Sequence, residues 1–224
     1  MTSLKTTARL TGVFYLGVAV TGLLGFLVIR NALYVPGDAA ATASNLVAQQ
    51  GLARIGIAME LGIVLTQALA AIWFFRLFRS VDDFAAGAIA VFGMVNAVAI
   101  LASFAALMTA LAAATDPAIA PGGDGAGTAQ LMYELSAACW AGGAIFFGLW
   151  LIPMGYAVIV SEWMPRVMGW ILIGGGVGYV LSAFAAALFP AAPEWMDIVL
   201  TVPATVGEFW MIGYLLTYGV RINK

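Results

Sequence analysis

Six stretches of this chain are each apolar for longer than a lipid bilayer is thick: roughly 8–29, 52–78, 84–114, 129–160, 167–189 and 196–220. About 20 apolar residues in helical form cross the hydrocarbon layer. Inside lipid, every backbone N–H and C=O must be bonded within the protein, which for such lengths means helix. The pattern predicts an all-α fold, a six-transmembrane-helix bundle forming one domain over 1–224. Composition agrees: 63% of residues are hydrophobic and only 9% charged. A soluble surface draws on roughly 25% charged residues, so lipid must cover most of this one. The third and fourth stretches exceed the needed length and must tilt or protrude. Pro153 and Pro203 lie inside stretches four and six, where the missing N–H predicts kinks.

The basic residues set an orientation. Lys5, Arg9, Arg76, Arg79, Arg166, Arg221 and Lys224 fall on one side of the spans, Arg30 and Arg54 on the other. By the positive-inside rule the first side is cytoplasmic, so both termini are expected there. Asp38, Asp116, Asp124, Glu194 and Asp197 then fall in outer loops. Trp73, Trp150, Trp163, Trp170 and Trp195 are placed as interfacial belts. The first span is too long for the apolar core of a cleaved signal and is expected to stay as an anchor.

Two outer loops have local signals. In PGDAAATASNLVAQQG, Asp38 is suited to cap a surface helix over about 39–50, with Gly51 ending it. DPAIAPGGDGAGT is rich in Gly and Pro and is expected to be irregular.

Absences narrow the chemistry. There is no histidine and a single cysteine, Cys139. His-ligated haem, the usual zinc sites, and Ser-His or Cys-His catalysis are excluded. No cofactor, metal or catalytic residue is assigned. Lys5 and Lys224 are the two lysines, both at chain ends, which excludes a retinal Schiff base. No basic stripe points to nucleic acid.

Three carboxylates remain inside the spans: Glu60 in GIAMELGIV, Glu134 in LMYELSA and Glu208 in VGEFWMI. Glu60 and Glu134 are 74 residues apart, and so are Glu134 and Glu208. All three occupy even-numbered spans at a similar distance from the helix start. An ionised carboxylate in hydrocarbon is costly unless paired, protonated or wetted. The expectation is a polar pocket in the outer half, with Gln67, Asn96 and Thr205 adding hydrogen-bonding groups. Arg54 is the favoured partner for one carboxylate, Arg30 the second choice. Tyr15, Tyr133, Tyr179 and Tyr214 are candidate hydroxyls.

Gly174, Gly178, Ser182 and Ala186 recur every fourth residue of span five. Such a small-residue face lets helix backbones approach closely, either within the bundle or toward a second membrane chain or a second copy. Asp82 and Asp83, the adjacent acidic pair, read as a helix cap, and Pro165 as the start of a helix.

The run FFGLWLIPMGYAVIVSEWMPRVMGWILIGGGVGYVLSAF, with VGEFW and YG after it and ARLTGVFYL, VPGDAAATA and ARIGIAMEL before it, resembles a bacterial family of six-helix membrane proteins known as a domain of unknown function. By motif position Arg9, Asp38, Arg54, Glu60, Pro165, Arg166, Gly169, Tyr179 and Glu208 match that pattern. The resemblance implies the six-helix fold and a bacterial inner (cytoplasmic) membrane. It implies no activity. Relatives often carry a histidine near Ser136, where this chain has none.

The leading functional expectation is a small transporter or ligand-binding membrane protein, with an outer-half acidic pocket for a small polar or cationic ligand. The alternative is a non-catalytic scaffold or accessory subunit that docks through the Gly174–Ala186 face. Third comes an integral-membrane enzyme acting on a lipid-like substrate, with three carboxylates around Mg²⁺ or Ca²⁺.

Overall fold

The computed structural model describes residues 3–189 and 193–221. Lys224, counted above for orientation, lies outside the described residues, as does the side chain of Glu194. Helices run over Leu4–Gly22 (α1), Arg30–Leu33 (α2), Ala39–Ala48 (α3), Gln50–Phe78 (α4), Asp83–Thr115 (α5), Gly125–Ser161 (α6), Arg166–Leu188 (α7) and Glu194–Thr217 (α8). Between α1 and α2, Leu23–Ile29 winds as a π-helix. No strand occurs among the described residues. Six of these helical stretches are long and apolar enough to cross a membrane, the first being α1 through α2.

Several local expectations change. α6 and α8 run on through Pro153 and Pro203. α3 does begin at Asp38, whose Oδ1 accepts from the Ala41 N–H at 2.8 Å. It ends at Gln49 rather than Gly51, which is already in α4. Replacing Asp38 by alanine is expected to cost about 1 kcal/mol, read as lost amide protection across Ala39–Ala48. The Asp116 loop is more regular than its composition suggests: two 3₁₀ turns, with Gly122 and Gly123 at φ 64° and 75°, lead into α6. Pro165 is the residue before α7, not its first turn. Asp82 accepts from the Ala85 N–H at 2.8 Å, the expected cap of α5.

The helices contribute to two compact units. The first takes in Met1–Leu16, Thr66–Ala97 and Ala141–Lys224; the second takes in Gly17–Leu65 and Val98–Trp140. The core of the first is aromatic. Trp150 is fully buried, with Tyr15 and Phe74 edge-on to it at 5.3 and 5.7 Å. Trp150 is therefore a packing residue, not part of an interfacial belt. Trp170 and Trp195 are both exposed.

Glycine sets how closely α7 packs. On one side, a Cβ at Gly178 would stand 1.9 Å from the Leu200 carbonyl of α8, and one at Gly175 2.4 Å from Ala204. On the other side, Gly169 and Gly176 meet Gly155 and Gly148 of α6. Ser182 donates to Asp197 of α8. Gly178 and Ser182 are thus used inside the chain, while Gly174 meets nothing within 4 Å and Ala186 is exposed. The four-residue repeat is not one seam, because α7 has neighbours on two sides.

The second unit is closed by glycine too. Gly25 of the π-helix packs on Met59, Gly56 on Ile29 and Gly62 on Thr21. Many large apolar side chains stay exposed, including Leu65, Val98, Leu131 and Leu188. That is the surface a lipid-facing bundle presents.

Candidate functional site

The second unit holds a polar centre built around Arg30. A π-turn inserts an extra residue into the helical repeat, which re-aims the side chains beyond it, and such turns are frequent at functional sites. Here it ends at Ile29, and Arg30 comes next with its side chain turned into the protein. Arg30 Nη1 donates to Ser136 Oγ at 2.9 Å, and Nη2 to the Tyr133 carbonyl at 2.7 Å. The rings of Phe26, Tyr34 and Tyr133 surround the guanidinium at 5.3–5.5 Å. Cation–π contacts of this kind are each worth about 0.5–2 kcal/mol, most when desolvated. Ser136 in turn shares a hydrogen bond with Ser103 at 2.8 Å.

Glu60 faces the same place. It is 3% exposed, and its Oε1 accepts from Trp140 Nε1 at 3.1 Å. Its Oε2 has no partner at full hydrogen-bond distance among the described residues, though the Ser103 hydroxyl lies near the carboxyl. Glu60 and Arg30 both line a cavity of about 20 Å³, whose other walls include Phe26, Ile29, Leu46, Ile57, Leu111 and Tyr133. That volume holds about one water molecule. A small apolar chamber with one cation and one half-satisfied carboxylate is suited to receive a hydrogen-bond donor.

The other two glutamates are elsewhere. Glu134 is exposed in this unit and accepts from the Tyr34 hydroxyl. Partial burial, and then that carboxylate, push the Tyr34 phenol up from its ordinary pKa. Glu208 belongs to the first unit. Tyr15 donates to its Oε1 at 2.6 Å, and Tyr179 to its Oε2 at 3.5 Å. Two phenols, not an arginine, compensate Glu208. The three carboxylates have no hydrogen-bond partner in common, and no group of three His, Cys, Asp or Glu among the described residues could hold a metal ion.

The remaining predicted residues divide the same way. Arg54 is exposed on α4 in the second unit, and among the described residues neither it nor Arg30 forms an ion pair with a carboxylate. Gln67 and Asn96 lie in the first unit, both fully buried, with no partner for either amide among the described residues. Thr205 is exposed, its hydroxyl turned back to the Thr201 carbonyl at 3.4 Å. Tyr214 donates to the Trp163 carbonyl.

Sequence reasoning undervalued Arg30, passed over Ser103 and Trp140, and noted position 136 only through the family resemblance. The signal for Arg30 was present: it is a basic residue on the side that the charge rule leaves poor in arginine, with aromatic residues four before and four after it. Ser103 carried none, since a lone serine in an apolar helix is ordinary.

No curated protein and no solved structure matches this chain. A family model does match, over residues 10–219, that of a domain of unknown function, DUF4386. Since the match takes in almost the whole length, with Arg30, Glu60 and Glu208 inside it, the chain belongs to the DUF4386 family.

Proposed function

We propose that this multi-pass membrane protein is a small ligand-binding protein of the transporter type, with its recognition centre at the Arg30–Glu60 cavity. The observation that carries the reading is Glu60 Oε2: a buried acceptor among mostly apolar side chains that no donor from the described residues holds at full hydrogen-bond distance, the Ser103 hydroxyl near the carboxyl being shared with Ser136. An unpaired buried acceptor costs about 1–3 kcal/mol, a cost that a ligand donor removes. Two of the five N–H donors of Arg30 are engaged by Ser136 and Tyr133, which fix the guanidinium so that it shapes the chamber and balances the carboxylate. A cation would meet the charge of Arg30. A small neutral molecule with a hydroxyl or amide N–H donor fits both groups. The cavity as it stands admits about one water, so a larger ligand needs its walls to part.

The test is thermal unfolding in detergent with a panel of small alcohols, small amides and alkali-metal salts, on the wild type and on Glu60→Gln. One alcohol or amide should raise the wild-type melting temperature, by the equivalent of about 2.7 kcal/mol at a concentration one hundred times its Kd. The shift should shrink in Glu60→Gln, which presents a donor where the ligand needs an acceptor. Equal shifts in both proteins, or no shift from any compound, would overturn the reading.

A further inference from the structure

The second unit carries another feature that the cavity does not use. An open groove of about 530 Å³ runs between α4 and α5. Its ends differ in chemistry. Arg54, near the start of α4, and Thr115, the last residue of α5, stand at one end. From there the groove extends along apolar walls to Leu61 and Phe104, with Met108 between. Leu61 is seven residues into the helix from Arg54, about 10 Å at 1.5 Å per residue, and Phe104 is eleven from Thr115, about 16 Å. A polar mouth over an apolar slot of that length has the shape of one acyl chain beneath its headgroup.

Charge selects the headgroup. Arg54 is exposed and has no ion pair among the described residues. It lies at the end of the spans where basic residues are few, so a general preference for arginine at that membrane face does not explain it. A guanidinium binds phosphate oxygens in a fork of two parallel hydrogen bonds, and it repels the ammonium that a zwitterionic headgroup carries beside its phosphate. A second groove, of about 590 Å³ in the first unit, provides the contrast: its mouth holds Asp82 and Tyr156, and a carboxylate repels an anionic headgroup.

We propose that the α4–α5 groove is a binding site for an anionic phospholipid of the bilayer, its phosphate on Arg54 and one acyl chain along Leu61, Met108 and Phe104. Ile57 and Leu111 form both the floor of this groove and a wall of the Arg30–Glu60 cavity. A chain lying in the groove therefore touches the partition that must move for the cavity to widen. The lipid site stands without the ligand proposed for that cavity.

The experiment is native mass spectrometry of the delipidated full-length protein, titrated with phosphatidylglycerol and with phosphatidylcholine of the same acyl chains. The first phosphatidylglycerol should bind about fivefold more tightly than phosphatidylcholine. Arg54→Gln should bring the two lipids level, and Arg54→Lys should keep most of the preference. Ala112→Trp, which fills the groove from α5, should weaken both. Inorganic phosphate in millimolar excess should not displace the lipid, because the chain supplies most of the binding. A preference that survives Arg54→Gln, lipid binding untouched by Ala112→Trp, or displacement by free phosphate would each overturn the proposal. Circular dichroism and a single size-exclusion peak establish that each variant is folded before it is compared.

Discussion

Trp150→Ala is expected to destabilise the protein by about 3–5 kcal/mol, the range for truncating a large buried aromatic. The reason is local. Trp150 is wholly buried, with Tyr15 and Phe74 edge-on to its ring, and a Cβ at Gly93 would sit 3.0 Å from it. Gly93, a close neighbour of the ring, has no side chain to lend to the space. Tyr15 also orients the Glu208 carboxyl through its hydroxyl. Losing the indole therefore removes packing and loosens the one short bond to Glu208. Unfolding by added SDS from mixed micelles measures the loss. Trp150→Phe, which keeps a ring, should recover about half of it. A loss below about 1 kcal/mol would show that the aromatic cluster relaxes freely, contrary to the close packing of protein interiors.

Gly178→Ala is expected to cost about 3 kcal/mol, the upper end for overpacking. The added methyl would meet the Leu200 backbone carbonyl at 1.9 Å, and a backbone atom cannot swing aside as a side-chain tip does. α7 and α8 must separate, and the Ser182–Asp197 hydrogen bond is strained with them. Gly174→Ala supplies the internal control. Nothing stands within 4 Å of its added Cβ, so helix propensity should make it neutral or stabilising by up to about 1 kcal/mol. Both residues belong to the same four-residue repeat, so the repeat by itself predicts similar effects. SDS unfolding of the two variants separates packing within the chain from association. If Gly174→Ala is the damaging change, that face is occupied by a second chain or copy in the membrane.

The six spans were legible because bilayer thickness imposes one length on every crossing. Their observed ends differ from the expected ones by a few residues, chiefly at Leu4, Leu33 and Gly125, where apolar helix continues into capped or polar turns. The cap at Asp38 was legible too, since its chemistry lies within four residues of chain. The π-helix was not. Leu23–Ile29 is a plain apolar run, and Arg30 is re-aimed by the packing of Gly25 on Met59 and of Ile29 on Gly56, contacts between separate parts of the chain. The equal intervals among the glutamates suggested a comparable depth for each acid but said nothing about azimuth. Around a helix 100° per residue decides whether a side chain meets Trp140, as Glu60 does, or faces outward, as Glu134 does.

The glycine contacts between α6 and α7 are reciprocal. A Cβ at Gly148 would meet the Gly176 carbonyl and one at Gly176 the Gly148 carbonyl; Gly155 and Gly169 repeat the exchange. Each partner is displaced by seven residues, two helical turns, from the first pair. Such a register belongs to two consecutive helices running in opposite directions, joined by a link of only 162–165. Closing so short a loop costs little entropy, and the contact needs no side chain to find a rotamer. During membrane insertion this hairpin can therefore close as soon as its second helix enters the bilayer, giving the later-arriving α8 a preformed surface on which to dock.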